Sequence, residues 1–184
     1  GDTVSIDDQN QQFDICYGNY PNDTLQLSNL NGEINGGNYK IIYLRMNATW
    51  WEPCQDTIAG FDSLIINYED NPAIIFINDL ADIDHSYSCE QWGNMGEHNI
   101  PIIIDADVSN PEYSEICSMF GHEYGAWPAY ALLDHNMVLR YQDYYAPPTN
   151  LLEELLEECG ELCVCSGTID SDGDGIADEC DDCQ

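Results

Sequence analysis

The chain has 184 residues, of which 35 are Asp or Glu and only three are Lys or Arg, so its formal net charge is −32. This charge excludes nucleic acids and anionic membrane surfaces as partners, because both would be repelled. No apolar run approaches the roughly 20 residues of a membrane-spanning helix, so no membrane insertion is expected. The length suits one domain with a sizeable core and a short appendage. Because Gly1 is not an initiator methionine, we expect a processed chain whose export signal has been removed.

The acidity has two interpretations. Repulsion among so many carboxylates opposes compaction, so a saline medium or bound cations should favour the folded state. The first interpretation is a solvated acidic surface suited to a saline habitat. The second is a set of specific divalent-cation sites.

The cysteines indicate an oxidising, extracytoplasmic setting with disulfides, because they are dense in a chain with almost no lysine. Their odd number leaves at least one thiol outside any intramolecular pair if the chain is complete, and Cys54 is the first candidate. Two sequons, at Asn22 and Asn47, permit N-glycans in a eukaryotic secretory route. We therefore expect an extracellular or cell-surface protein. The nine cysteines are Cys16, Cys54, Cys89, Cys117, Cys159, Cys163, Cys165, Cys180 and Cys183.

The front of the chain predicts an arm followed by a hairpin. Residues 1–12 are polar and acidic and predict a loose N-terminal arm. Phe13–Tyr17 alternates as a strand does, and the leucines of residues 25–30 indicate a second extended piece before the turn-rich residues 31–37.

Strands and helices then alternate, which predicts an α/β sheet covered by helices. The predicted strands are Lys40–Met46, Ala73–Ile77, Ile100–Asp105, the apolar part of Gly125–Asp134, and Met137–Tyr141. The predicted helices are Asp56–Tyr68, Glu112–Phe120 and Leu151–Glu158.

Two segments together resemble the thioredoxin superfamily. The first is the loop Asn47-Ala48-Thr49-Trp50-Trp51-Glu52-Pro53-Cys54-Gln55, which lies between a predicted strand and a predicted helix. The family's redox loop reads Ala-Thr-Trp-Cys-x-x-Cys, often with Pro before the second Cys. The second is Trp127-Pro128, at the start of an apolar strand, where the family carries a cis-proline. The resemblance covers residues 13–158, and the front hairpin resembles that of secreted and peroxiredoxin-like members.

The resemblance implies a thioredoxin-like three-layer sandwich whose dithiol chemistry is disabled. Trp51 stands at the position of the attacking cysteine, while Pro53 and Cys54 match the rest of the loop. That chemistry needs a low-pKa thiolate at the helix N-terminus and a second thiol to resolve the adduct. An indole supplies neither.

Alternatives stay open at this loop. Cys54 is either a structural thiol or half-cystine, or the thiol of a one-cysteine exchange or trapping enzyme. A further alternative is a thiol–disulfide oxidoreductase or peroxide-type enzyme that works through Cys54 with Cys89 or Cys117. Trp51 and Trp127 either fill the family's substrate groove as core, or line a groove that binds a peptide or glycan. The four histidines show no metal-ligand spacing, and no nucleophile elbow, phosphate loop or zinc-protease helix occurs.

The C-terminal residues predict a calcium loop, because their oxygen ligands follow EF-hand spacing with Gly175 at the glycine position. Asp181 at the last ligand position, between Cys180 and Cys183, resembles the calcium repeats of thrombospondin type 3. A zinc site from the five clustered cysteines is the rival interpretation. The predicted calcium ligands are Asp170, Asp172, Asp174, the carbonyl of Ile176, Asp178 and Asp181.

The sequence thus predicts three parts: an arm (1–12), a thioredoxin-like domain (13–158) and a disulfide-rich calcium-binding tail (159–184). The main prediction is a non-catalytic module with a structural or adhesive role, whose partners are calcium and other extracellular chains, identical copies included. Self-assembly into a calcium-stabilised polymer is one form of that role. The alternatives are a thiol–disulfide oxidoreductase acting through Cys54, and a peptide- or glycan-binding module.

Overall fold

A computed structural model describes residues 1–81, 87–96, 99–104, 115–121 and 126–164. The strands within these ranges are β1 (Phe13–Tyr17), β2 (Thr24–Leu25), β3 (Ile41–Asn47), β4 (Ile74–Leu80), β5 (Ile102–Ile104), β6 (Ala129–Leu133) and β7 (Leu139–Asp143). They form one sheet in the order β2-β1-β5-β4-β3-β6-β7. The β3–β4 and β4–β5 pairs are parallel and the other pairs are antiparallel. The predicted strand–helix alternation is confirmed.

Helices cover both faces of this sheet. Those in the described residues are α1 (Ile6–Gln9), α2 (Gly32–Asn35), α3 (Glu52–Asp56), α4 (Ile58–Asn67), α5 (Cys89–Gly93), α6 (Glu115–Phe120), α7 (Thr149–Cys159) and α8 (Glu161–Val164), together with a 3₁₀ turn at Leu27–Leu30.

The core lies in two layers because side chains alternate across each strand. All seven residues of β3 are buried, so this strand contributes to both layers. The first layer includes Ile42, Leu44, Met46, Leu27 and Phe120. The second layer includes Ile41, Tyr43, Phe61, Leu152 and Leu155. The predicted α/β three-layer architecture is therefore confirmed.

The front of the chain packs onto this body. β1 and β2 form the predicted antiparallel hairpin, and a disulfide from Cys16 to Cys89 joins β1 to α5. The arm is docked, contrary to the expectation that it is loose. Thr3 forms an antiparallel β-bridge with Val138. Gln9 is buried, and its side-chain amide donates to the carbonyl of Val4 at 2.8 Å.

Two predicted elements differ from the structure. The helix predicted at Asp56–Tyr68 begins earlier, at Glu52, and is interrupted at Thr57. Pro53 favours the earlier start, because proline suits the first turn of a helix. Leu27–Leu30 forms a 3₁₀ turn instead of an extended piece, since its leucines pack into the first core layer.

Candidate functional site at the redox-type loop

The loop after β3 places Trp51 at the start of a helix. Trp51 is the N-cap of α3, and its backbone N–H donates to the Ala48 carbonyl at 3.1 Å. The Cys54 N–H in turn donates to the Trp51 carbonyl at 2.9 Å, which closes the first helical turn. Residue 51 therefore lies where the positive end of a helix dipole would stabilise a thiolate. The structure holds an indole there.

The tryptophans form an exposed aromatic surface. Trp50 is 46% exposed and Trp51 is 43% exposed. The Trp50 ring lies edge-on to both Trp51, at a centroid distance of 5.6 Å, and Trp127, at 6.4 Å. Sequence reasoning paired Trp51 with Trp127, as core filling or as the lining of a groove, and missed Trp50, which contacts both rings. Trp50 lies beyond the end of β3, and its position next to Trp51 was the only signal in the sequence.

Pro128 faces this loop as the resemblance implies. The Trp127–Pro128 peptide bond is cis, and the next residue, Ala129, pairs with Met46 at the end of β3. The structure therefore brings Trp50, Trp51 and Pro128 to the same end of the sheet.

Cys54 is enclosed behind the loop. Its exposed fraction is 0%, and it belongs to a small cluster with Ile58, Leu80, Trp92 and Ile102. In this conformation the thiol is shielded from any disulfide of a partner protein. Of the two predicted exchange partners, Cys89 is already bonded to Cys16.

The other predicted exchange partner, Cys117, is a buried thiol on α6. It donates to a carboxylate oxygen of Asp79 at a sulfur–oxygen distance of 3.7 Å and accepts from the Trp127 indole N–H at 3.4 Å. Asp79 itself is fully buried at the end of β4. Sequence reasoning missed Asp79, although an acid at the end of an apolar strand is unusual enough to notice.

A buried arginine lies under the same loop. Arg45 is 0% exposed, and its Nη2 donates to the Cys54 carbonyl at 2.6 Å and to Thr57 Oγ1 at 2.7 Å. Burial lowers the pKa of its guanidinium, while the neighbouring Tyr130 and Cys54 act in the opposite direction.

The sequons are placed differently from each other. Asn22 is exposed. Asn47 is fully buried, and its Nδ2, the atom a glycan would modify, donates to the Arg45 carbonyl at 3.2 Å and to Asn78 Oδ1 at 3.3 Å. The folded state therefore favours Asn22 alone as an acceptor.

The predicted metal ligands, from Asp170 to Asp181, lie outside the described residues. Within the described ranges, no group of three or more His, Cys, Asp or Glu side chains is arranged to hold a metal ion. His135, the one histidine in these ranges, is nearly buried beside Asn136, with their side-chain nitrogens 3.0 Å apart.

None of the described helices combines the length and apolarity needed to cross a bilayer.

Comparison with known proteins identifies the fold. No family model matches the chain, and no curated protein sequence matches it. Among solved structures, DsbF of Mycobacterium tuberculosis is 16% identical with a TM-score of 0.58, covering 86% of this chain and 100% of that one. A secreted M. tuberculosis disulfide oxidoreductase homologous to E. coli DsbE is 14% identical with a TM-score of 0.54, covering 84% and 99%. The exposed lipoprotein thioredoxin Etrx1 of Streptococcus pneumoniae is 17% identical with a TM-score of 0.51, covering 80% and 99%.

These likenesses show that the chain has a thioredoxin-like fold, and at such low identity they show the fold alone. The names of such neighbours include a secreted disulfide oxidoreductase, an exposed lipoprotein thioredoxin and a thiol–disulfide oxidoreductase of Bacteroides fragilis. Those names agree with the alternative prediction, a thiol–disulfide oxidoreductase, better than with the main prediction of a structural module. This chain carries Trp51 at the position where the resemblance places the attacking cysteine.

Proposed function

We propose that this chain is an extracellular or cell-surface thioredoxin-like module that binds other protein chains at its loop and does not run dithiol exchange. The observation that carries the proposal is the difference in exposure between Trp51 and Cys54, the residues at the start of α3. Trp51 occupies the position of an attacking thiol and is 43% exposed, whereas Cys54 is 0% exposed. Exchange requires a thiolate that can reach a disulfide sulfur, and this conformation presents none at the loop.

The exposed tryptophans support a binding role. Aromatic side chains provide a large contact area at low entropic cost and are enriched at the centres of protein interfaces. Trp50 and Trp51 together present such an area beside the cis-proline Pro128. In the family this strand start holds the substrate backbone, so an extended polypeptide is the occupant that we propose. It would come from another extracellular chain, an identical copy being one case.

Calcium is the proposed cofactor. The ligand spacing from Asp170 to Asp181 supports it. The net charge of −32 also supports it, because bound divalent cations would reduce the repulsion among the carboxylates. Calcium bridges between acidic faces are the proposed driving force for self-assembly and adhesion.

A binding experiment tests the main proposal. The probe is reduced and alkylated ribonuclease A, an unfolded basic polypeptide without thiols or disulfides, used at physiological ionic strength. We expect saturable binding that Trp50→Ala and Trp51→Ala each weaken about tenfold or more, as for central aromatic residues of interfaces. The control is Tyr145→Ala, which removes a ring that is 64% exposed elsewhere on the surface. Equal losses in all three variants, or none in the tryptophan variants, would refute the proposal.

The second candidate is single-thiol exchange through Cys54, which the comparisons favour. In that reaction the Cys54 thiolate attacks a disulfide of the substrate, a mixed disulfide forms, and the other substrate sulfur leaves as a thiolate. An external thiol must then release the adduct. Incubation with glutathione disulfide followed by peptide mass spectrometry tests it. Rapid glutathione addition to Cys54 in the native protein would support exchange, whereas addition only after denaturation supports the binding module.

A further inference from the structure

Arg45 carries a positive charge into the second core layer. Its side chain is fully buried, and its Nε and Nη1 have no hydrogen-bond partner among the described residues. Nη2 donates to the Cys54 carbonyl and the Thr57 hydroxyl, and the Tyr130 hydroxyl is a further hydrogen-bonding neighbour of the guanidinium. A guanidinium has five N–H donors, so Arg45 retains donor capacity on Nε and Nη1 in this state.

No carboxylate neutralises this charge in the described part of the chain. The ion pairs found there both belong to Arg140. The groups around Arg45 are instead aromatic, with the Phe61 ring centroid 5.1 Å from its Cζ and Tyr130 opposite it on β6. Burying a charge without a carboxylate partner is unfavourable, so Arg45 is a costly residue at this position.

A cleft is lined by side chains that contact Arg45, although Arg45 itself does not line it. It has a volume of about 380 Å³ and opens between α4 and the segment leading into α7. Thr57, Phe61 and Tyr130, which surround Arg45, all line it. Ligand pockets typically have volumes of about 300–1,000 Å³ and combine apolar walls with a few polar groups. The remaining walls are mostly apolar or small: Tyr43, Gly60, Leu64, Ala146, Pro147 and Leu152.

We propose that this cleft binds a small organic carboxylate, with its apolar body against the aromatic walls and its anionic group on the unused donors of Arg45. The guanidinium is covered in the structure, so the site also requires Tyr130 or Phe61 to turn aside on binding, a common rotamer change at binding sites. The ligand is a monoanion, because Asp56 also lines the cleft and disfavours additional negative charge. The site shares no lining residue with the Trp50–Trp51 surface and does not depend on the polypeptide-binding proposal.

Calorimetric titration with a matched probe pair tests the site. The probes are 2-naphthoate and its uncharged isostere 2-naphthamide, at physiological ionic strength, where the Debye length is about 8 Å and distant surface charge is screened. We expect the carboxylate to bind about ten- to hundredfold more tightly than the amide, the range for hydrogen bonds to a charged group. In Arg45→Met, which keeps the volume and removes the charge, this preference should disappear. Equal affinities in the native chain, no binding of either probe, or a preference that survives Arg45→Met would overturn the proposal.

A second pair of variants keeps Arg45 in place, in case Arg45→Met does not fold. Gly60 lines the cleft on α4, and a Cβ at this position meets no atom within 4 Å. Gly60→Leu should therefore fill the cleft and abolish naphthoate binding, whereas Gly60→Ala should retain it. Naphthoate binding that is unchanged in Gly60→Leu would place the ligand elsewhere and refute the site.

Discussion

At the scale of single residues, Trp51 and Cys54 are the two side chains that distinguish this chain from an active dithiol enzyme of the same fold. Trp51 takes the helix N-terminal position, and Cys54 lies behind it in an apolar cluster with Ile58 and Trp92. The backbone features of the site are intact, including the cis bond before Pro128. The loss of exchange that we propose therefore rests on one side chain and not on a distorted scaffold.

The single residues also show where sequence reasoning ended. Trp51 and Pro128 could be assigned from the sequence because each holds a fixed position in a known loop or strand. Trp50, Asp79 and Arg45 could not, because their roles depend on packing between segments far apart in sequence. Asp79, for example, contacts the Cys117 thiol, 38 residues further along the chain.

Glu158 gives a prediction about pH. Its carboxylate accepts two hydrogen bonds from the Arg140 guanidinium, with nitrogen–oxygen distances of 2.5 and 3.0 Å. The Arg140 hydrogen bond holds the pKa of Glu158 below its ordinary value of 4.5. A lowered pKa stabilises the fold above the ordinary pKa, and this contribution is lost as pH falls through the folded-state pKa. Glu158→Gln should therefore be less stable than the native chain at pH 7, and the difference should shrink below about pH 4.5.

Urea unfolding between pH 3 and 7 measures this difference. The control is Glu157→Gln on the same helix, which removes the same charge from an exposed side chain for which no ion pair is found in the described residues. A pH dependence that is the same in both variants would contradict the assignment to Arg140.

At the scale of elements, the sequence predicted the sheet well because buried strands such as β4 begin with a continuous apolar run, here Ile74–Ile77. The helix boundary at α3 was missed, since the strand-to-helix turn is set by Pro53 and by packing of Cys54 and not by periodicity. The pairing of Cys16 with Cys89 could not be predicted either, because connectivity is a property of the folded chain.

The two disulfides of the described residues should contribute unequally. Cys16–Cys89 spans 73 residues and joins the front hairpin to α5, whereas Cys159–Cys163 spans four. On the loop-entropy model the first stabilises by about 4 kcal/mol and the second by about 2 kcal/mol. The double variant Cys16→Ser/Cys89→Ser should therefore lose more free energy of unfolding than Cys159→Ser/Cys163→Ser.

Guanidinium unfolding at equal protein concentration checks this order. Double variants are used so that no new unpaired thiol is created in either protein. Equal losses, or a larger loss for the short bridge, would mean that the hairpin is held by its packing and not by the bridge.

At the scale of the whole molecule, the net negative charge is the feature that most affects the stability of the folded state. A net charge of −32 over 184 residues makes the folded state sensitive to salt and to cations. The predicted calcium loop from Asp170 to Asp181 is the place where a specific cation would act, and it stays a prediction. If calcium binds there and the tail packs on the domain, calcium should stabilise the domain by more than ionic strength alone.

Thermal unfolding with and without calcium tests this. At free calcium about a hundredfold above its dissociation constant we expect about 2.7 kcal/mol of added stability, with magnesium at equal ionic strength much less effective. Asp170→Asn/Asp174→Asn should remove the increment. The control Glu69→Gln/Asp70→Asn removes two exposed charges elsewhere and should retain it. An increment of the same size from magnesium, or in both variants, would argue for general screening.

The most direct test of the central claim is insulin reduction with dithiothreitol. The assay compares the native chain, Trp51→Cys and Trp51→Cys/Cys54→Ser, and it asks whether the Trp51 indole alone prevents dithiol exchange. We predict background rates for the native chain, turnover clearly above background for Trp51→Cys, and its loss in the double variant, because a thiolate at the start of α3 would regain Cys54 as its resolving partner. Native turnover that Cys54→Ser abolishes, or a folded Trp51→Cys variant that stays at background, would contradict the account.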